Sequence, residues 1–316
     1  MRSPPEMQPP PGLLEWAADV MGAQTDAAEA TLRATPLTGG STCAVWRFDA
    51  RTDAGPLVVV AKQARAELAE EGARLVQAEA RVLEALQPRR LPVPELLASD
   101  PHGICSGAPA MLITHMPGSL LQGEAALRDA LGAFAEAIVS WQERCSDLLA
   151  GRRFAPWFDP DTLEQTDDAG DATLWRRARD AVQRFPAPVA DGFIHRDPHP
   201  ANLLFDRGAV SAVLDWPNAG RGPRAMDVAR MALNLACLLD VDAVTTFREH
   251  HEHRSGRRHD PLLDLYALLE CDFVGTRAPE ATWEALGITL SPSTLRERLD
   301  AFCEDTLRRM TVRRLK

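Results

Sequence analysis

The chain has 316 residues, 45% of them apolar, and a formal net charge of −10 from 35 basic and 45 acidic residues. That is enough for two lobes with a large core, while the acidic balance argues against a nucleic-acid binder and no apolar run approaches the ~18 residues of a membrane span. Six scattered cysteines (Cys43, Cys105, Cys145, Cys237, Cys271 and Cys303) include no Cys-x-x-Cys, so neither a zinc site nor a disulfide framework is indicated and a reducing, cytoplasmic setting fits.

Residues 1–12 hold five prolines and no apolar signal region, which predicts a disordered or extended lead-in. Residues 13–35 suggest one or two short helices, and residues 36–117 alternate strands with one helix. Thr38-Gly39-Gly40-Ser41-Thr42 precedes Ala44–Phe48, an alternating run that reads as a strand. In that loop Gly39, Gly40 and Ser41 could bring backbone N–H groups close to phosphate oxygens, although the same residues also make an ordinary hairpin turn. Leu57-Val58-Val59-Val60-Ala61 reads as a buried strand and ends in Lys62.

Of the 35 basic residues only Lys62 and the C-terminal Lys316 are lysine. A lysine in so arginine-biased a chain points to a need for a compact point charge, as at the α/β-phosphates of a nucleotide, where a planar fork is no substitute. Glu79 lies in Ala73–Leu86, whose Leu75, Val76, Val82, Leu83 and Leu86 follow helical spacing. A glutamate on this helix could hold Lys62 toward phosphates, with Glu70, Glu71 and Glu84 as competing candidates.

Leu91-Pro92-Val93-Pro94-Glu95 leads to Ala110–Met116, an apolar strand broken by Pro117-Gly118 and readable as a hinge. Backbone groups near Thr114 and Met116 could bond an adenine edge, or simply end the strand. From residue 118 the signal is mainly helical. Ala125–Cys145 carries Leu127, Leu131, Phe134, Ile138 and Trp141 on one face, and 261–274 and 293–310 look like further amphipathic helices.

The chemically dense stretch is His195-Arg196-Asp197-Pro198-His199-Pro200-Ala201-Asn202. Proline keeps Asp197 out of a regular helix, so its carboxylate can face an incoming hydroxyl. Asn202 offers a neutral oxygen that binds Mg²⁺ without adding negative charge. Ala201–Phe205 and Ala209–Leu214 read as two strands around Asp206-Arg207-Gly208, a hairpin that returns Asp215 as a second hard oxygen ligand. Trp216 reads as packing beneath the loop.

With Gly39-Gly40, Lys62, Pro92-Val93-Pro94, Met116-Pro117-Gly118, His195 through Asn202, Asp215-Trp216, Ala219, Gly222 and Asp227 before Val228–Leu239, the chain resembles the aminoglycoside phosphotransferase and choline kinase-like superfamily over about residues 36–236. The resemblance implies an α+β, two-lobed protein-kinase-like fold: a small β-rich nucleotide-binding lobe (13–117) and a larger, mainly helical catalytic and substrate-binding lobe (118–316). It implies Asp197 as catalytic base or hydroxyl-orienting carboxylate, Asn202 and Asp215 as Mg²⁺ ligands, and Lys62 as the phosphate contact. Arg196 departs from the family's usual glycine and matches eukaryotic-type protein kinases; Pro217 replaces a frequently acidic position. Only 11 residues separate Asp215 from Asp227 and no Ala-Pro-Glu segment follows, which favours a small-molecule acceptor over a protein.

Two acidic sets, Asp159 to Asp171 and Asp260, Asp264, Glu270 and Asp272, could attract a cationic acceptor, although a charge run such as the first is more often a solvated loop. His250, His251, His253 and His259 sit among Arg248, Arg254, Arg257 and Arg258, so a solvated helix end is a better reading than a metal site. The expectation is a cytoplasmic, Mg²⁺-dependent kinase that moves the γ-phosphoryl group of ATP, or of GTP, to a hydroxyl of an antibiotic or related small metabolite. The alternatives are a non-catalytic nucleotide- or ligand-binding protein on the same scaffold, or a kinase of a primary metabolite such as an amino alcohol. Neither nucleic acid nor a membrane is expected as partner, and the oligomeric state is not legible.

Overall fold

A computed structural model describes residues 8–25, 32–37, 42–52, 55–159, 171–185, 189–270 and 283–314. The chain forms two units, Met1–Pro117 with Ala212–Asn218, and Gly118–Ser211 with Ala219–Lys316. The segment carrying Asp215 thus belongs with the first unit, not with the second as its sequence position suggested. The reason is hydrogen bonding: Val213 N donates to Pro92 O at 2.8 Å, and Trp216 N donates to Glu79 Oε1 at 3.2 Å.

In the first unit, α1 (Pro11–Thr25) precedes β1 (Arg33–Leu37), β2 (Cys43–Thr52), β3 (Gly55–Ala64), α2 (Ala69–Leu86), β4 (Leu96–Asp100) and β5 (Ala110–Thr114). Helix α1 starts two residues inside the expected lead-in, because proline at a first helical position has its φ already set and no N–H to lose. The strands form one antiparallel sheet ordered β1-β2-β3-β5-β4. Strand alternation splits β3 into two faces. Val59 and Ala61 join Leu13, Trp16, Ala17 and Met21 of α1 and Trp46, Phe48 and Ala50 of β2 in one core. Lys62 has the opposite parity and faces the side where α2 packs against β3, β4 and β5. Gly39, Gly40 and Ser41 lie outside the described residues.

The second unit contains α3 (Gly123–Asp129), α4 (Leu131–Arg144), β6 (Arg152–Arg153), α5 (Ala172–Arg184), β7 (Gly192–Ile194), β8 (Leu203–Asp206), β9 (Ala209–Val213), β10 (Gly220–Gly222), α6 (Ala225–Leu238), α7 (Val241–Ser255), α8 (Pro261–Leu269) and α9 (Pro292–Arg314), with the last two residues of β9 passing into the first unit. The helix expected over Ala125–Cys145 is two helices, broken at Ala130, and its apolar stripe is buried as the spacing predicts. Helix α6 is buried at every position from Met226 to Leu238, surrounded by α4, α7, α8 and α9. A helix enclosed in this way must be apolar all round, so the few polar residues on it need partners.

The β8–β9 hairpin turns through Arg207 (φ 49°) and Gly208 (φ 80°), both left-handed, as a two-residue turn matched to strand twist requires. Its first strand begins at Leu203, later than expected, because Pro200–Asn202 form a 3₁₀ turn closed by Asn202 N donating to His199 O at 2.9 Å. Helix α7 carries His250 to His253, and the reading of a solvated helix end fails at His251, which is buried. No group of three or more possible metal ligands occurs among the described residues, and no described helix is long and apolar enough to cross a membrane.

Gly118 holds φ at +108°, and a Cβ there would meet Phe205 O at 2.8 Å and Ser211 Oγ at 2.2 Å, beside the paired Ser119 and Phe205 backbones. Gly118→Ala is therefore expected to destabilise the protein by more than ~1 kcal/mol, read as a lower urea midpoint at unchanged slope. An unaltered midpoint would show that this turn relaxes without cost.

Candidate active site

Two clusters of functional side chains form, one in each unit. In the first, Lys62 Nζ lies 2.5 Å from Glu79 Oε2 and 2.7 Å from Asp215 Oδ1. Strand β3 supplies the lysine and α2 the glutamate. Val76, Glu79, Leu83 and Leu86 recur at helical spacing, so Glu79 stands in the stripe that α2 turns to the sheet and is buried, whereas Glu70, Glu71 and Glu84 are exposed. Glu79 is the glutamate that meets Lys62.

Burial opposes the Lys62 ammonium, but the Asp215 and Glu79 carboxylates more than reverse this and hold its pKa above the ordinary lysine value. Burial pushes the Glu79 carboxyl up, against the pull of Lys62. Asp215 sits at φ 67°, left-handed backbone that an aspartate tolerates better than most residues. Its neighbour Trp216 is fully buried, with its indole N–H donating to Val213 O at 3.0 Å and its backbone N–H holding Glu79. The loop is thereby fixed, and the Asp215 side chain stays 42% exposed. This cluster can present a permanently charged ammonium next to a partly exposed carboxylate.

In the second unit the loop after β7 is gripped by Asp227 in the first turn of α6. This buried carboxylate accepts from His195 N at 2.9 Å, Arg196 N at 2.8 Å and Trp141 Nε1 at 2.8 Å. The clamp explains how Arg196 occupies φ 77°, a conformation that disfavours any residue with a Cβ by roughly 1–3 kcal/mol. Left-handed geometry is the physical reason a glycine would suit this position. Here the Arg196 side chain gives compensating contacts. Its guanidinium is bidentate to buried Glu270 at 2.7 and 2.6 Å, donates to Ala155 O at 3.1 Å, and stacks on Phe154 and Trp157 at 4.6 and 4.3 Å.

Asp197 follows, with Oδ1 2.8 Å from Arg230 Nη2. Burial works against the carboxylate, yet Arg230, with His199 and His195, holds its pKa down to about 2. Asn202 donates from Nδ2 to Asp197 O at 3.1 Å, which turns its amide oxygen away from that carbonyl and leaves a hard oxygen available as a ligand. Arg230 also lies over the Trp157 ring at 4.8 Å. Sequence reading missed Arg230 and Trp157. The available signal was a lone charged residue in the run from Val228 to Leu239, whose one other polar residue is Asn234.

Thr114 ends β5, bonded through its backbone and hydroxyl to the backbone of Glu95, and Met116 follows half-buried. Of the acids weighed for attracting a cationic acceptor, Asp159 is exposed, and four others are engaged within the chain. Asp264 is buried against Arg248 at 2.6 Å and His259 at 2.7 Å, Glu270 is consumed by Arg196, and Asp260 and Asp171 cap helices α8 and α5. Asp161 to Asp168 and Asp272 lie outside the described residues.

Glu270→Gln would leave the Arg196 cation buried without a counter-charge and is expected to cost about 3–5 kcal/mol of stability, measurable by urea unfolding. For Asp197, depression to about 2 from an ordinary ~3.9 means its stabilising contribution is complete above pH ~4 and is lost as pH falls through about 2. The stability gap between the parent and Asp197→Asn should shrink over that window; a constant gap would contradict the Arg230 pairing.

A model of the phosphotransferase enzyme family matches residues 33–269. A homoserine kinase from Phenylobacterium zucineum (strain HLK1) is 28% identical over 138 residues, 42% of this chain and 42% of that relative, so the match spans less than half the relative's length. Among solved structures, a thermostable mutant of aminoglycoside phosphotransferase APH(4)-Ia, in ternary complex with ADP and hygromycin B, superposes with a TM-score of 0.60 at 16% identity, over 91% of this chain and 97% of that one. Choline kinase LicA from Streptococcus pneumoniae gives 0.59 at 16% identity, over 93% and 98%. These likenesses establish the α+β, two-lobed protein-kinase-like fold, a β-rich first unit and a larger helical second one. The chain belongs to the phosphotransferase enzyme family.

Proposed function

We propose that the protein is a cytoplasmic, Mg²⁺-dependent kinase that transfers the γ-phosphoryl group of ATP or GTP to a hydroxyl of a small molecule, an antibiotic or a related metabolite. The observation that carries this reading is Lys62 held charged by Glu79 and Asp215, in a chain whose loop aspartate Asp197 is likewise kept ionised. The ADP and hygromycin B of one structural neighbour, the choline kinase and the homoserine kinase support a nucleotide donor and a small hydroxyl-bearing acceptor.

Each residue then has a physical task. Lys62 neutralises α/β-phosphate oxygens, with backbone N–H groups of Gly39, Gly40 and Ser41 approaching phosphate and the backbone near Thr114 and Met116 receiving the base. Glu79 keeps the ammonium in place. The Asn202 amide oxygen and the Asp215 carboxylate are hard oxygen donors that suit Mg²⁺. The metal, when bound, neutralises charge on the transferring phosphate. Asp197 with a pKa of about 2 is too weak a base to deprotonate an alcohol in advance. It orients the hydroxyl and takes the proton as the new O–P bond forms, which suits a loose transition state dominated by positioning.

Asp197→Asn is expected to lower kcat by about 10²–10⁴ with nucleotide affinity retained, while Lys62→Met weakens nucleotide binding. Transfer of labelled γ-phosphate from Mg-nucleotide to aminoglycosides, macrolides, amino alcohols and hydroxy acids, together with calorimetric nucleotide binding, checks both. Absence of any Mg-nucleotide binding would falsify the kinase reading.

A further inference from the structure

We infer that Trp157 is a positioning residue for Asp197 and acts through Arg230, whose guanidinium plane its ring fixes. This rests on the phosphotransfer reading above, in which Asp197 orients the acceptor hydroxyl. Among the described residues, Trp157 is the one aromatic among the exposed large apolar side chains, at 48%. Leaving half an indole in water forgoes burial free energy, so packing does not account for its place. What the ring gains is contact with charge: Arg196 Cζ lies 4.3 Å from its centroid and Arg230 Cζ 4.8 Å. Both arginines bear on Asp197, Arg196 as the residue before it in the chain and Arg230 as its ion-pair partner from α6.

The segment that carries the ring is fastened on either side of it. Phe154 N donates to Arg221 O at 2.7 Å, Trp157 N donates to Glu270 Oε1 at 3.2 Å, and the Phe158 ring stacks on Tyr266 of α8 with centroids 5.6 Å apart. The indole thus projects from an anchored backbone. Arg196 keeps its orientation without Trp157, because both oxygens of Glu270, Ala155 O and the Phe154 face hold it. Arg230 uses the ring differently. Its backbone is set in the enclosed helix α6, where Asn234 Nδ2 donates to Arg230 O at 2.9 Å. Its side chain is long, and the contact from Nη2 to Asp197 Oδ1 at 2.8 Å lets the guanidinium turn about that line. A flat aromatic face against the guanidinium restricts the turn.

Orientation matters because a hydrogen bond between a guanidinium and a carboxylate lies near the plane of both groups. With Oδ1 taken by Arg230, Oδ2 is the oxygen that meets an acceptor hydroxyl, and the tilt of the guanidinium sets where Oδ2 points. A misplacement of about 1 Å at a reacting group costs roughly 10²-fold in rate. Two roles for the ring predict different kinetics. A ring that bound the acceptor directly would act on the acceptor KM, whereas one that works through Arg230 and Asp197 acts on kcat.

The test uses the full chain with MgATP, with choline, L-homoserine and hygromycin B as trial acceptors and hydrolysis of MgATP as the acceptor-free reaction. Trp157→Ala is expected to lower kcat about tenfold to a hundredfold, with KM for MgATP and for the acceptor changed by less than about twofold. Trp157→Phe, which keeps an aromatic face, should recover most of the loss, and Trp157→Leu, which keeps apolar bulk alone, should not. In an Arg230→Gln background Trp157→Ala should cost nothing further. NMR gives a readout that needs no acceptor. Rotation of the Arg230 guanidinium about its Nε–Cζ bond should be about tenfold or more faster in Trp157→Ala and Trp157→Leu, and slow again in Trp157→Phe. An unchanged rotation rate overturns the inference, as does a loss confined to the acceptor KM, recovery in Trp157→Leu, or losses that multiply in the double variant. Where no trial reaction turns over in protein that binds MgATP, the rotation rates decide. Failure to bind MgATP removes the kinase reading, and the same rates still show whether Trp157 fixes Arg230.

Discussion

The Asp227 carboxylate is the constraint from which the second unit's chemistry follows. Three N–H donors converge on it, two from the consecutive backbone amides of His195 and Arg196 and one from the Trp141 indole. Burial raises the carboxyl's pKa, and His195 with these donors works in the opposite direction. A carboxylate held by several N–H groups inside a protein is a rigid anchor, since releasing any one leaves a buried polar group unsatisfied. That rigidity holds Arg196 in left-handed backbone and carries the chain into the Pro200–Asn202 turn. The loop that carries Asp197 and Asn202 is thus held by a fully buried residue 30 positions beyond Asp197 and 25 beyond Asn202.

Ion pairing is used in two different ways in this protein. Arg196 with Glu270, and Arg248 with Asp264, are buried and mutually neutralised, so they hold packing geometry and offer no charge outward. Lys62 with Asp215, and Arg230 with Asp197, retain one partly exposed carboxylate each, at 42% and 24% side-chain exposure. Partial exposure lets those groups act on something outside the chain while the paired cation keeps them ionised. Most of the described acids singled out in the second unit likewise serve as caps or as partners of arginine.

The left-handed Arg196 shows how a departure from a family pattern is absorbed. Replacing a glycine-type position with arginine costs backbone energy, and the bidentate contact to Glu270, the Ala155 carbonyl and two aromatic faces offset it. The same arrangement leaves Trp157 at the surface beside Arg230, so accommodating Arg196 also shapes the surroundings of Asp197.

Local chemistry was readable in the sequence. The alternation of β3, the apolar spacing of α2 and α4, the hairpin around Arg207-Gly208 and the spacing from His195 to Asp215 all depend on neighbours within a few residues, and local rules govern them. The solitary Lys62 stood out for the same reason, as a choice of side-chain chemistry against the chain's own bias. Long-range partners were not readable. Nothing in the order of residues says that residues 212–218 belong with the first unit, that His251 is buried, or that Arg230 grips Asp197 from 33 positions away. Those facts are set by how helices and strands pack, because burial converts a solvated charge into one that must find a partner, and only tertiary structure determines which partner lies within reach.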